Sequence, residues 1–161
     1  MEVWLRIDDR LIHGQVVEGW VPHLRASRIL VVSDEAARDP VQKALMRLAV
    51  PEGMALEIEE LSAACARAGE LGRGEANGPV LVLTPSPKEA LRLLEAGLEV
   101  RRVNVGGLHH SVGKVQLGRA LFLAEEDREA LKAIAARGVE LDARAVPSER
   151  GLPIAQMLDP Y

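Results

Sequence analysis

Short aliphatic, β-branched runs alternate with helix-like stretches from one end of this chain to the other, and that alternation limits the fold more than any other feature. It is the pattern of βαβ units, in which a helix crosses one face of a sheet and returns the chain as a parallel strand. The runs cover residues 3–7, 28–32, 55–58, 80–83, 103–105 and 140–146, with shorter extended pieces at 115–117 and 120–123. Val80-Leu81-Val82-Leu83 has no polar interruption, as expected of a strand covered on both faces. The expected architecture is therefore α/β, a three-layer open sheet, mostly parallel, of about seven strands with helices on both faces. At 161 residues, one domain spanning 1–161 is expected.

The intervening segments carry helix signals. A helix is expected over 14–24, weakened near its end by Pro22. Asp39 and Pro40 read as the N-cap and first position of another, with Val41, Ala44, Leu45 and Leu48 as its apolar residues. Further helices are expected over 61–68, 88–96 and 125–136, and a short one in the tail that docks on the body. Cys65 is the single cysteine, so it forms no internal disulfide, and the ordinary reading is a small, half-buried thiol.

Composition excludes several functions. A net charge of −4 without a long Lys/Arg run argues against nucleic-acid binding and against direct attachment to anionic lipid. No apolar stretch approaches the ~20 residues needed to cross a bilayer, and the strand-like start at Glu2-Val3-Trp4 has no leader character. A cytoplasmic protein is expected, with no membrane insertion of its own.

Open parallel sheets bind ligands beyond the carboxyl ends of their strands, which selects the turns at 8–13, 84–87 and 106–113. The first carries Asp8-Asp9-Arg10-Leu11-Ile12-His13-Gly14-Gln15: two carboxylates, a guanidinium, an imidazole and a glycine directly before a helix. Helix N-terminal amides favour an anion. An imidazole can act as nucleophile toward phosphorus, a planar guanidinium pairs with phosphoryl oxygens, and a neighbouring aspartate can fix the imidazole tautomer. The same residues read structurally as a helix cap with a solvated arginine partner and a partly buried histidine, and residue chemistry alone leaves both readings open.

The run Arg6-Ile7-Asp8-Asp9-Arg10-Leu11-Ile12-His13-Gly14-Gln15-Val16 resembles the active-site signature of the IIB subunit of mannose/fructose/sorbose-type sugar phosphotransferase systems. Arg28-Ile29-Leu30-Val31-Val32-Ser33-Asp34-Glu35, Val103-Asn104-Val105-Gly106-Gly107-Leu108 and Arg137-Gly138-Val139-Glu140-Leu141 follow in the matching order, so the resemblance covers essentially the whole chain. It implies a phosphocarrier whose His13 accepts a phosphoryl group on Nδ1 from the phosphohistidine of a IIA protein or domain. The group would pass to a sugar bound by the membrane subunits IIC and IID, which would hold the carrier at the inner face of the membrane. The resemblance further implies that Arg10 stabilises the phosphoryl group, that Asp9, Gly14 and Gln15 line the same loop, and that Thr84 faces it. No metal, nucleotide or other cofactor is implied, because a phosphoimidazole is itself a transferable phosphoramidate.

The chain departs from the resembled pattern after Gly107, where it has His109-His110-Ser111-Val112. No Cys, Asp or Glu follows closely enough to complete a metal site with that histidine pair. A receiver-type signalling domain is a rival because Asp8 and Asp9 end the first strand, but such a domain needs an aspartate after its third strand, where this chain reads Ile58-Glu59-Glu60, and a lysine where it has Gly106-Gly107. A second alternative keeps His13 as a carrier that reports phosphorylation state to a protein partner instead of serving transport.

Overall fold

Parallel strands need long crossovers, and the chain supplies one between nearly every pair. The computed structural model describes residues 2–73, 78–152 and 154–158. Six strands form one sheet in the order β3-β2-β4-β1-β5-β8, every pairing in it parallel. They are β1 Val3–Asp8, β2 Arg28–Val32, β3 Ala55–Glu59, β4 Val80–Thr84, β5 Arg102–Gly107 and β8 Glu140–Asp142. The two short extended pieces do not join that sheet: β6 Val115–Gly118 and β7 Leu121–Leu123 pair with each other in antiparallel fashion, which brings the strands among the described residues to eight. The last strand is also shorter than its sequence run, ending at Asp142.

Strand parity sorts the core into two layers, since alternate side chains point to opposite faces. Leu5, Ile7, Leu30, Val32, Val80, Val82, Val103 and Val105 meet residues of α4 Leu61–Ala66, α5 Pro87–Glu95 and α6 Glu125–Ala136. Ile29, Val31, Leu81 and Leu83 meet Val16, Trp20, Val21, Leu24 and Ala36 on the other face. Covering α5 alone buries Ala90, Leu93 and Leu94, and each buried leucine contributes on the order of 1.5–3 kcal/mol relative to exposure. The tail helix α7 Ile154–Met157 docks through buried Ile154, and Arg128 Nη1 donates to the Leu158 carbonyl at 2.8 Å.

Three helical segments differ from their sequence readings. The helix expected over 14–24 is a π-helical stretch, Gln15–Trp20, running into α1 Val21–Leu24. Pro22 lies in the first turn of α1, where a missing N–H is tolerated. Ser33 caps an additional short helix, α2 Asp34–Ala37, by accepting from the Ala36 N–H. In α3 Pro40–Ala49, capped by Asp39 as expected, no residue is fully buried: Met46 packs against the core while Val41, Leu45 and Leu48 are exposed. Cys65 is half-buried, its thiol donating to the Arg92 carbonyl at 3.7 Å. The Gly-rich, polar segment 69–78, whose composition reads as an exposed loop, lies in part outside the described residues.

The strand order also locates a crevice. From β1 the chain crosses toward β2 on one side, whereas from β5 it proceeds toward β8 on the other. The carboxyl ends of β1 and β5 therefore flank the point where the topology reverses, the usual ligand position in such sheets.

Candidate active site

Arg6 and Asp8 stand at alternate positions of β1, so the strand's alternation puts them on one face, and the turn that follows brings Arg10 back onto Asp8. Asp8 is fully buried and receives donors on both oxygens. Arg10 forks onto it, Nε to Oδ1 and Nη2 to Oδ2, each at 3.0 Å, and the Arg10 backbone N–H adds a third bond at 3.0 Å. Arg6 Nη2 and His13 Nε2 both reach Oδ2 at 2.9 Å. Burial pushes the Asp8 carboxyl pKa up, but hydrogen bonds from His13 and Arg10, with the charge of Arg6, outweigh it and hold the group well below the usual carboxylate range. Asp8 is therefore a charged, acceptor-only group, which in the neutral form of His13 sets the proton on Nε2 and the lone pair on Nδ1.

Arg6 anchors this cluster from beneath. Its guanidinium is buried and donates to Asn104 Oδ1, to the Arg144 carbonyl at 3.1 Å and to the Ala145 carbonyl at 3.1 Å. It also lies 5.4 Å from the centre of the Trp20 ring, with Arg144 5.1 Å from the same ring. Desolvation lowers the Arg6 pKa from its ordinary value, an effect opposed by Asp8. Gly106 and Gly107 make room for both arginines: a Cβ on Gly106 would meet Arg6 Nη2 at 2.0 Å, and one on Gly107 would meet Arg10 Nη2 at 3.1 Å.

The turn that carries His13 is sharply bent. Leu11 has a positive φ of 59°, a conformation costing about 1–2 kcal/mol for a residue with a side chain. Burial of the Leu11 side chain offsets that by a similar amount, about 1.5–3 kcal/mol. The Val16 and Val17 N–H groups both donate to the His13 carbonyl at 3.0 Å, which starts the π-helical stretch at the site, a placement common for such bulges.

The other expected site residues fall in several places. Gln15 Oε1 accepts from Arg10 Nη2 at 2.8 Å, so it joins the cluster. Gly14 has helical backbone angles, and a Cβ there would meet nothing within 4 Å; the chain's own packing does not demand glycine. Thr84, buried at the end of β4 and in register with Ile7, donates its hydroxyl to the Ser86 carbonyl. Asp9 turns toward the loop after β5: its carboxylate accepts from the His109 backbone N–H at 2.7 Å and pairs with His109 Nδ1 at 2.5 Å. His110 rests edge-on against Phe122, and His23 lies edge-on to Trp20. A cleft of about 990 Å³ lies at the amino ends of β1, β5 and β8, at the opposite end of the sheet from His13.

Arg6 is the residue that sequence reasoning left out of the site, and Asp8 entered there only as one of two carboxylates able to fix the imidazole tautomer. The alternate spacing of Arg6 and Asp8 was the signal available, because it predicts one face once the first strand is extended to Asp8.

Known proteins share this arrangement's sequence and fold. The family described as the PTS system sorbose subfamily IIB component matches residues 2–160. The mannose-specific EIIAB component of the PTS system of Escherichia coli (strain K12) is 40% identical over 154 residues, 96% of this chain and 46% of that protein. The chain thus spans about half the length of that relative. The sorbose-specific EIIB component of Lacticaseibacillus casei is 34% identical over 96% of this chain and 93% of that protein. The crystal structure of the IIBSor domain of the sorbose permease from Klebsiella pneumoniae superposes with a TM-score of 0.88, at 32% identity, covering 98% of this chain and 96% of that one. With the family matching almost end to end and the six-stranded sheet reproduced in a solved relative, the chain belongs to the sorbose subfamily of PTS IIB components.

Proposed function

We propose that His13 takes a phosphoryl group onto Nδ1 from the phosphohistidine of a IIA protein or domain and passes it to a sugar held by membrane subunits of the IIC and IID type. The hydrogen bond of His13 Nε2 to Asp8 Oδ2 at 2.9 Å carries this reading, since it leaves Nδ1 as the nucleophile. Two guanidiniums, Arg6 and Arg10, already surround the single Asp8 carboxylate, so its charge is balanced without His13.

Phosphoryl transfer leaves little covalent work once the partners are in line and the equatorial oxygens are neutralised. Asp8 holds Arg10 beside His13, where the guanidinium Nη1 has no hydrogen bond among the described residues and is the group to meet an arriving oxygen. Gly14, with open space where a side chain would stand, lets donor and acceptor come close. The mannose-specific relative is an EIIAB protein, which supports a IIA donor. No helix among the described residues is long and apolar enough to cross a membrane, which fits a carrier held at the cytoplasmic face by its partners. The receiver-type alternative loses ground because Asp8 is committed to Arg6, Arg10 and His13 and is not available to a cation.

Incubation with a phosphorylated IIA donor is expected to place one acid-labile, base-stable phosphate on the chain. His13→Ala should abolish it with the circular dichroism spectrum unchanged; labelling that persists at another residue would sink the assignment.

A further inference from the structure

The two adjacent carboxylates of the site hold two different histidines by opposite nitrogens. Asp8 takes Nε2 of His13, and Asp9 takes Nδ1 of His109 while also accepting from the His109 backbone N–H. A carboxylate only accepts, so the His109 proton resides on Nδ1 and the free lone pair on Nε2. The His109 side chain is 58% exposed, which makes that nitrogen accessible. The two loops are joined directly, since the Asp9 N–H donates to the Gly107 carbonyl at 3.0 Å and Gly107 lies against Arg10. An aspartate on Nδ1 with a free, accessible Nε2 is the orientation in which an imidazole serves as general base, the carboxylate stabilising the imidazolium that forms.

The two half-reactions differ in whether a base is needed. Transfer from one protein imidazole to another moves no proton, because the attacking nitrogen carries only a lone pair. Transfer to a hydroxyl does, since the oxygen bonded to phosphorus must lose its hydrogen. We propose that His109, oriented by Asp9, is the general base for the second half-reaction, in which a hydroxyl acceptor discharges phospho-His13. The acceptor oxygen bonds to phosphorus and the P–Nδ1 bond of His13 breaks with its electron pair returning to Nδ1. The hydroxyl proton passes to His109 Nε2 and later to solvent. This rests on the reading of His13 given above.

The charged groups in contact with His109 are Asp9 from the turn after β1 and Lys114 from the loop before β6, whose ammonium donates to the His109 carbonyl at 3.1 Å. The form of His109 that can accept the hydroxyl proton is the neutral one, with its Nε2 lone pair free.

The test times loading and discharge separately. The chain is loaded by a phosphorylated IIA donor, then discharged by membranes carrying its own IIC and IID subunits with mannose, fructose, sorbose or N-acetylgalactosamine, and in a parallel arm by water alone. His109→Gln is expected to slow discharge about 100-fold more than loading, and to flatten the pH profile of discharge, on the scale of general base catalysis. Asp9→Asn should act in the same direction with a smaller loss. Equal slowing of loading and discharge would make His109 a docking or structural residue and overturn the proposal, as would unchanged discharge to both sugar and water. Failure of the unaltered chain to load would instead overturn the His13 reading, and this proposal with it.

Discussion

Removing the fork of Arg10 separates charge from geometry. Arg10 grips both oxygens of Asp8 and also meets Gln15, whereas lysine keeps the charge but presents a single flexible ammonium. Arg10→Lys should fold normally, because the side chain is partly exposed, and should slow loading by about tenfold or more, given the strength of bidentate charge-assisted contacts. Stopped-flow loading kinetics will show it, and an unchanged rate would remove Arg10 from the mechanism. Asp8 makes a prediction about pH. Its folded pKa lies below the unfolded value, so its stabilisation is complete above the ordinary carboxylate range and is lost as pH falls below about 4. Asp8→Asn leaves the buried Arg6 cation without its anion, which should cost about 3–5 kcal/mol at neutral pH. Urea titrations at a series of pH values should show the gap between parent and variant narrowing on acidification. His13 and Arg10 were legible in the sequence because their spacing carries the family signature. The division of labour between Asp8 and Asp9 was not, since adjacent carboxylates exchange roles if the strand ends one residue earlier or later.

At the scale of the elements, β5 contributes to the site by having no side chains at its end. Gly106 packs directly on the buried Arg6 guanidinium, which is pinned by four acceptors, whereas Gly107 faces the partly exposed Arg10. Gly106→Ala should therefore destabilise the fold by about 1–3 kcal/mol or more, and Gly107→Ala should retain stability while slowing loading. Thermal melts and phosphate labelling of the two variants will separate these outcomes. The strands themselves were readable from β-branched runs, and the pairing of β6 with β7 was not, because short extended pieces carry no mark of which sheet they join. The π-helical widening after His13 was equally hidden: the apolar residues Val16, Trp20, Val21 and Leu24 satisfy an ordinary helix as well. The exposure of Val41, Leu45 and Leu48 shows the same limit, since an apolar stripe fixes a face but not whether anything covers it.

Over the whole molecule, one sheet separates two apolar layers, and the interior strands β2 and β4 contribute buried side chains to both. Neither layer can open without exposing strands that hold the other. Urea unfolding followed by tryptophan emission, which reports Trp20 and Trp4 in the layer on the His13 side, should coincide with helix loss by circular dichroism, which reports the helices of both faces. Separate midpoints would show that the layers unfold independently. The layered α/β class was readable because the alternation of elements is a property of the entire chain, whereas the bonds from Arg6 to the far carbonyls follow from topology and have no local sequence mark.

Those carbonyls belong to Arg144 and Ala145, 138 and 139 positions after Arg6. A ribosome therefore makes the candidate histidine long before the carbonyls that anchor its support. On the proposed reading of His13, the nascent chain carries that residue without the platform that aims it until Arg144 and Ala145 have emerged and folded back onto Arg6.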